Sequence, residues 1–222
     1  MLIRDIRGKN KQQSRYNKMA AIRNIIFDLG GVLLDIDFNK TKQAFEKLGV
    51  KNFDSFYTKE TANPIFESLE TGEISNENFY ETLAHYCSPN TTHEQIQHAW
   101  NKILVAFRKP SVEYLPALKE KYNLYLLSNT NSIHHECFSK MFANEIGGQP
   151  FDSRFTKAYY SHLLQKRKPY PETYLYVLEN AGIAAEETLF IDDALANIEG
   201  AAKAGLHTRL LLPDERVENI SL

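Results

Sequence analysis

Apolar and polar positions along this chain fall into two rhythms. Ile25, Ile26 and Phe27 form a run without polar interruption, the pattern of a strand buried on both faces, and Asp28, Gly30 and Gly31 follow at once. Residues 123–127 (NLYLL) repeat that pattern and end at Ser128, Asn129, Thr130 and Asn131. Further short strands are predicted around 158–161, at 188–191 ending in Asp192 and Asp193, and at 208–212. Between them lie helical stretches. Residues 111–122 are amphipathic, residues 171–180 open on a proline and stop at Gly182, and residues 195–204 are rich in small side chains and stop at Gly205. Strands alternating with helices predict an α/β fold built on a doubly wound parallel sheet.

One block breaks the alternation. Residues 38–49 carry Phe45 and Leu48 on one face, and further helices are predicted at 64–70, 75–86 and 92–107, the second capped within Ser75-Asn76-Glu77-Asn78. With no obvious strand, residues 38–109 read as an all-helical insert whose aromatic residues, Trp100 among them, form its own small core. The sheet domain is then discontinuous, 24–37 joined to 110–222. Residues 1–23 are polar and basic and lack an apolar stretch that could serve as a secretory signal core, which predicts a disordered tail, with Met19 as the expected natural start.

Composition narrows the classes. In 222 residues, 43% are apolar and 24% charged, close to globular norms, and 26 basic against 28 acidic residues give a formal net charge of -2. No basic field invites nucleic acid or an anionic membrane, and no apolar run approaches the roughly 20 residues of a bilayer span. Cys87 and Cys137 match no zinc or thioredoxin spacing and fit two reduced thiols in a cytoplasmic protein. His93 and His98 stand five apart, which is not a shared helix face. Oligomeric state has no signature in the chain.

The chemistry gathers at strand ends. In a parallel sheet the ends carrying Asp28, Ser128 with Asn129, and Asp192 with Asp193 face one edge, where ligands bind in open α/β sheets, and Lys168 precedes the unit that ends there. A carboxylate at such an edge is costly unless a cation partners it. On residues 24–37 alone, a metal site and a glycine turn capped by Asp28 fit equally. Three carboxylates, a hydroxyl, amides and an ammonium group together suit magnesium, which prefers to share its shell with a phosphate.

Four stretches, FDLGGVLLD, LLSNTN, RKPYPETY and FIDDALANIEGA, resemble in order the four motifs of the haloacid dehalogenase-like (HAD) hydrolase superfamily, and the wording is closest to its bacterial branch of glucose-1-phosphatase-like sugar phosphatases. The resemblance covers nearly everything from Asn24 to Leu212. It implies a magnesium-dependent phosphatase of a small phosphorylated metabolite, plausibly a sugar 1-phosphate, with the helical insert as cap. Asp28 would be the nucleophile, forming an aspartyl phosphate. Magnesium would take the Asp28 carboxylate, the Gly30 carbonyl and Asp193, with Asp192 acting through water. Ser128 and the Asn129 amide would hold phosphoryl oxygens, Lys168 would offset their charge, and Asn197 would orient Lys168 or an acidic ligand.

This chain departs from the family at one position. Most phosphatases of the superfamily carry a general acid and base two residues after the nucleophile, where this chain has Gly30. Acid-base catalysis is worth about 3 to 5 kcal/mol, a loss felt least with a good leaving group such as the anomeric oxygen of a sugar 1-phosphate. His134, Asp35 and Asp37 are candidate substitutes, with capping or hinge contacts the competing role for the two aspartates and solvation on a helix surface for the histidine. Glu70, Trp100 and Arg108 are candidate cap contacts. The alternative from another class is a catalytically weak or inactive module that binds phosphate or a partner on the same fold, and Gly30 favours it.

Overall fold

The computed structural model describes residues 21–55 and 64–221. The elements run β1 (Asn24–Phe27), β2 (Leu34–Ile36), α1 (Phe38–Lys47), α2 (Pro64–Glu70), α3 (Asn76–Ala84), α4 (His93–Asn101), β3 (Leu104–Phe107), α5 (Lys109–Lys119), β4 (Asn123–Ser128), α6 (Ser132–Glu145), β5 (Lys157–Tyr160), α7 (Ser161–Leu164), α8 (Pro171–Ala181), β6 (Thr188–Asp192), α9 (Leu195–Lys203) and β7 (His207–Leu210). The disordered-tail reading and the Met19 start fall on residues 1–20, outside the described residues.

Five parallel strands in the order β5-β4-β1-β6-β7 make the sheet, with β1 at its centre. Its period of two sends Ile25 and Phe27 into one apolar layer with Val112, Leu115, Phe138 and Phe142, and Ile26 into another with Tyr174, Val177 and Ala201. Helices therefore cover both faces, as the uninterrupted apolar run of β1 requires. Among the described residues no helix is long and apolar enough to cross a membrane.

The helical block deviates from the sequence expectation at its far end. The helix expected over 92–107 stops at Asn101, and Leu104–Phe107 is a strand paired antiparallel to β2, with Leu34 opposite Phe107 and Asp35 opposite Ala106. Ile103 to Phe107 is a buried or half-buried apolar run with two β-branched residues and an aromatic one, so strand pairing with 34–36 outcompetes one more helical turn. The two strands form the stem through which the chain leaves the sheet domain and returns. Beyond it, Phe45, Phe53, Phe66, Phe79 and Trp100 form a separate core that also takes in Ile133 of α6, so this layer is seated on the sheet domain. Helix α6 itself was not among the predicted elements.

Candidate active site

Register brings the strand ends together. Phe27 lies level with Leu126 of β4 and Ile191 of β6, so Asp28 and Asp192 stand side by side at the carboxyl edge and Ser128 one residue beyond. Asp28 is anchored there by its own N–H, which donates to the Ile191 carbonyl at 2.9 Å. Gly31, at φ +72°, turns the chain away, and a Cβ on it would collide with the Asp193 carboxylate.

Lys168 joins the set from a loop far along the chain. Its Nζ donates to Asp28 Oδ1 at 2.6 Å and to Asp192 Oδ2 at 2.7 Å, with the side chain 1% exposed. Two devices fix that loop. Asn129 grips the Lys168 backbone twice, donating from Nδ2 to its carbonyl and accepting its N–H at Oδ1, both at 2.9 Å. Helix α9 presses on the next residue, where a Cβ on Gly200 would lie 2.0 Å from the Pro169 carbonyl oxygen. The run of small residues in α9 is the sequence signal for this approach, and Gly200 was not singled out from it.

Asp192 is wholly buried and fully engaged. Ala194 N–H and Asn197 Nδ2 donate to its Oδ1, and Asn197 Nδ2 and Lys168 to its Oδ2. Asn197 therefore orients an acidic group, one of its two expected tasks. Asp28, Asp192 and Asp193 each present an oxygen within 4.8 Å of the others. Among the described residues, these three carboxyl groups cluster about the Lys168 ammonium. The Asp28 carboxyl is pushed up to about 7, first by burial and then by the charges of Asp192 and Asp193, with Lys168 opposing. Burial disfavours the Lys168 ammonium, but Asp192 and Asp28 outweigh it and hold its pKa above the usual range. A cluster of carboxylate oxygens in reach of one another fits a hard divalent cation such as magnesium. Residues able to offer oxygens to it include Asp28, Asp193 and the Gly30 carbonyl, while both oxygens of Asp192 accept hydrogen bonds from Ala194, Asn197 and Lys168.

These groups open on a cavity of about 380 Å³ whose lining includes Asp28, Ser128, Lys168, Asp193, Asn197 and Glu70. A wider groove of about 840 Å³ between α1, α4 and α6 contains none of the strand-end residues. A Cβ on Gly30 would lie 3.1 Å from Ile36 Cδ1, so hydrocarbon stands close beside the position two residues after Asp28.

The candidate substitutes for that acid are committed elsewhere. His134 is buried, not on a solvated helix surface. Its Nε2–H donates to the Trp100 carbonyl at 3.2 Å, and Asn131 Nδ2–H donates to its Nδ1 at 3.1 Å. Burial pulls its pKa down to about 4. Its ring also stacks on Trp100 at 4.7 Å, so it docks the helical layer and has no nitrogen left for a ligand. Asp35 accepts from Arg108 Nε at 2.6 Å across the stem, and Asp37 caps α1 by accepting from Asn39 N–H. Arg108 thus holds the stem, Trp100 lies in the layer's core, and Glu70 reaches the cavity wall. Arg167, which pairs with Glu67 and Glu70 of α2 at that wall, was missed, because nothing local in the sequence marks a contact made across two layers.

Comparison with known proteins gives the same grouping. The chain is 35% identical over 188 residues, 84% of its length and 90% of the relative's, to a D-ribitol-5-phosphate phosphatase of Bacteroides thetaiotaomicron. It is 27% identical over 191 residues, 82% of its length and 85% of the relative's, to a sesquiterpene phosphatase of Aspergillus oryzae. Its structure is similar, with a TM-score of 0.83 and 33% identity over 88% of this chain and 96% of the other, to a crystal structure of a HAD family enzyme from Bacteroides thetaiotaomicron, a single-substitution variant in complex with magnesium and inorganic phosphate. The profile of the haloacid dehalogenase-like hydrolases matches residues 22–205, and the chain belongs to that family.

Proposed function

We propose that the protein is a magnesium-dependent phosphatase of a small phosphorylated sugar or polyol, working in the cytoplasm through a phosphoryl group carried on Asp28. The observation that carries this reading is the Lys168 ammonium held between Asp28 and Asp192 beside Asp193, at the mouth of a cavity sized for a small metabolite. The relative acting on D-ribitol 5-phosphate and the magnesium and phosphate complex of the similar structure support it. Polar groups in the lining favour a carbohydrate over a terpene.

In this mechanism an Asp28 carboxylate oxygen attacks phosphorus and the ester P–O bond breaks. The leaving oxygen is protonated from water, since Gly30 offers no acid at that position. A second water then hydrolyses the acyl phosphate, returning the Asp28 carboxylate and releasing phosphate. Lys168 offsets charge that otherwise repels a phosphate dianion from Asp28 by about 4 kcal/mol at 4 Å and an effective dielectric of 20. Magnesium, held by Asp28, Gly30 and Asp193, would supply further charge neutralisation and Lewis acidity. Ser128 and the Asn129 main-chain N–H hold phosphoryl oxygens, because the Asn129 side chain is occupied by Lys168. Residues 38–109 act as the cap over a core formed by 24–37 and 110–222.

Gly30 favours an ester with a good leaving group, hence a sugar 1-phosphate, whereas D-ribitol 5-phosphate, the substrate the relative is named for, is a primary ester. It also favours a second reading, a weak or inactive phosphate-binding module. A panel of hexose 1-phosphates, pentitol phosphates and an aryl phosphate, assayed for phosphate release with magnesium and with chelator, separates these. Turnover that requires magnesium supports the enzyme. No release from any ester, the activated aryl phosphate included, contradicts it.

A further inference from the structure

The cavity wall divides by chemistry. On one side Ile36, Phe38 and Leu104 offer hydrocarbon. On the other, α2 brings Glu67 and Glu70, and Arg167, directly before Lys168, meets both. Its Nη1 lies 3.3 Å from Glu67 Oε1 and its Nη2 3.1 Å from Glu70 Oε2. The Glu70 side chain is 9% exposed, and burial holds its carboxyl above the usual range against the opposing charge of Arg167. Yet these groups are not used up. Among the described residues Glu70 Oε2 makes no well-aligned hydrogen bond, and Arg167 Nε has no acceptor.

A mere latch between the helical layer and the sheet domain would not need this. Apolar side chains of similar volume would hold the two together without taking ions out of water, which costs several kcal/mol per ion. An under-used acceptor beside an under-used donor is instead the complement of an alcohol, which gives one hydrogen bond and takes another. Both atoms lie behind the cavity surface, so a hydroxyl reaches them by rotation of the two side chains.

We propose that Glu70 and Arg167 are the specificity-determining pair of this site, reading a hydroxyl on the leaving group of a polyhydroxylated monophosphate. Two carboxylates, Glu67 and Glu70, against one guanidinium also leave this wall negative, so the preferred leaving group carries no second phosphate or carboxylate. The inference rests on the phosphatase reading above and deepens it.

The test compares wild type, Glu70→Gln and Glu70→Ala on a pentitol phosphate and on p-nitrophenyl phosphate, which has no hydroxyl to read. Leaving a buried hydrogen-bonding group without its partner predicts that Glu70→Ala loses about 10- to 100-fold in kcat/KM on the pentitol phosphate. The aryl ester loses less, so the ratio of the two kcat/KM values falls, and Glu70→Gln recovers part of that ratio. A parallel fall on both esters, or none on either, overturns the pair's role. A deoxy series of pentitol phosphates on the wild-type protein needs no mutation. One position should show the same loss, and a flat series overturns the inference. Wild type inactive on every ester would instead contradict the phosphatase reading itself.

Discussion

A methyl group on Gly31 would stand 2.2 Å from Asp193 Oδ2, so the turn after β1 and the turn after β6 meet where only a hydrogen atom fits. That contact sets how closely the acidic pair after β6 approaches Asp28. Gly31→Ala must both strain a backbone at φ +72° and displace Asp193. A misplacement of about 1 Å at a reacting centre costs on the order of 100-fold. The variant is expected to lose activity on that scale, and a magnesium titration of Tm is expected to raise the wild-type value and leave that of the variant unchanged.

The Lys168 ammonium donates to both Asp28 and Asp192. Lys168→Met leaves two buried carboxylates facing each other. Breaking a buried ion pair by removing one partner costs about 3 to 5 kcal/mol, and losing one preorganised electrostatic group costs about 100- to 1,000-fold in kcat. Urea unfolding and phosphate release should both register the change. Lys168→Arg is not expected to restore activity, because a planar fork does not replace a point charge in this space.

His134 predicts a pH dependence of stability. Its imidazole titrates near 6.5 in the unfolded chain and near 4 when buried. Between these values the unfolded state binds the extra proton, so stability is full above pH 6.5 and falls as pH drops toward 4. The difference is worth on the order of 3 kcal/mol. Unfolding free energies measured over that range should fall less steeply in His134→Gln than in wild type. Equal slopes would contradict the assignment.

Asp35 separates a stem residue from a proton donor. Its pair with Arg108 is half-exposed on the Asp35 side, and Asp35 is absent from the cavity lining. Asp35→Asn should cost at most about 1 kcal/mol of stability and leave kcat essentially unchanged. A general acid would instead lose about 100- to 10,000-fold. Steady-state kinetics on an alkyl phosphate distinguishes the two.

What could be read from the chain follows physical range. Asp28, Ser128, Asp192 and Asp193 each end an apolar run, and a parallel sheet brings all such ends to one edge, so local pattern plus topology was enough to assemble them. Asn129 came with Ser128 at the same strand end, whereas the role of Lys168, which lies in a loop, needed motif order as well. The strand Leu104–Phe107 was hidden because no glycine or proline separates it from α4, and its pairing with Leu34–Ile36 is a nonlocal decision. Helix α6 did carry a signal, an Asn131 cap with Phe138 and Phe142 four residues apart on one face, but the tetrapeptide motif before it drew the reading. The burial of His134 and the Arg167 pairs with Glu67 and Glu70 depend on how the helical layer seats on the sheet domain, which spacing does not encode.

The central claim is that Asp28 carries the phosphoryl group. Acid quenching during turnover of a pentitol phosphate with magnesium, followed by peptide mass analysis, tests it directly. The account predicts one added phosphoryl group on the peptide containing Asp28 in the wild-type protein, with neither adduct nor turnover in Asp28→Asn. Undiminished turnover by Asp28→Asn, or wild-type turnover with a phosphoryl group trapped on another residue, would contradict it.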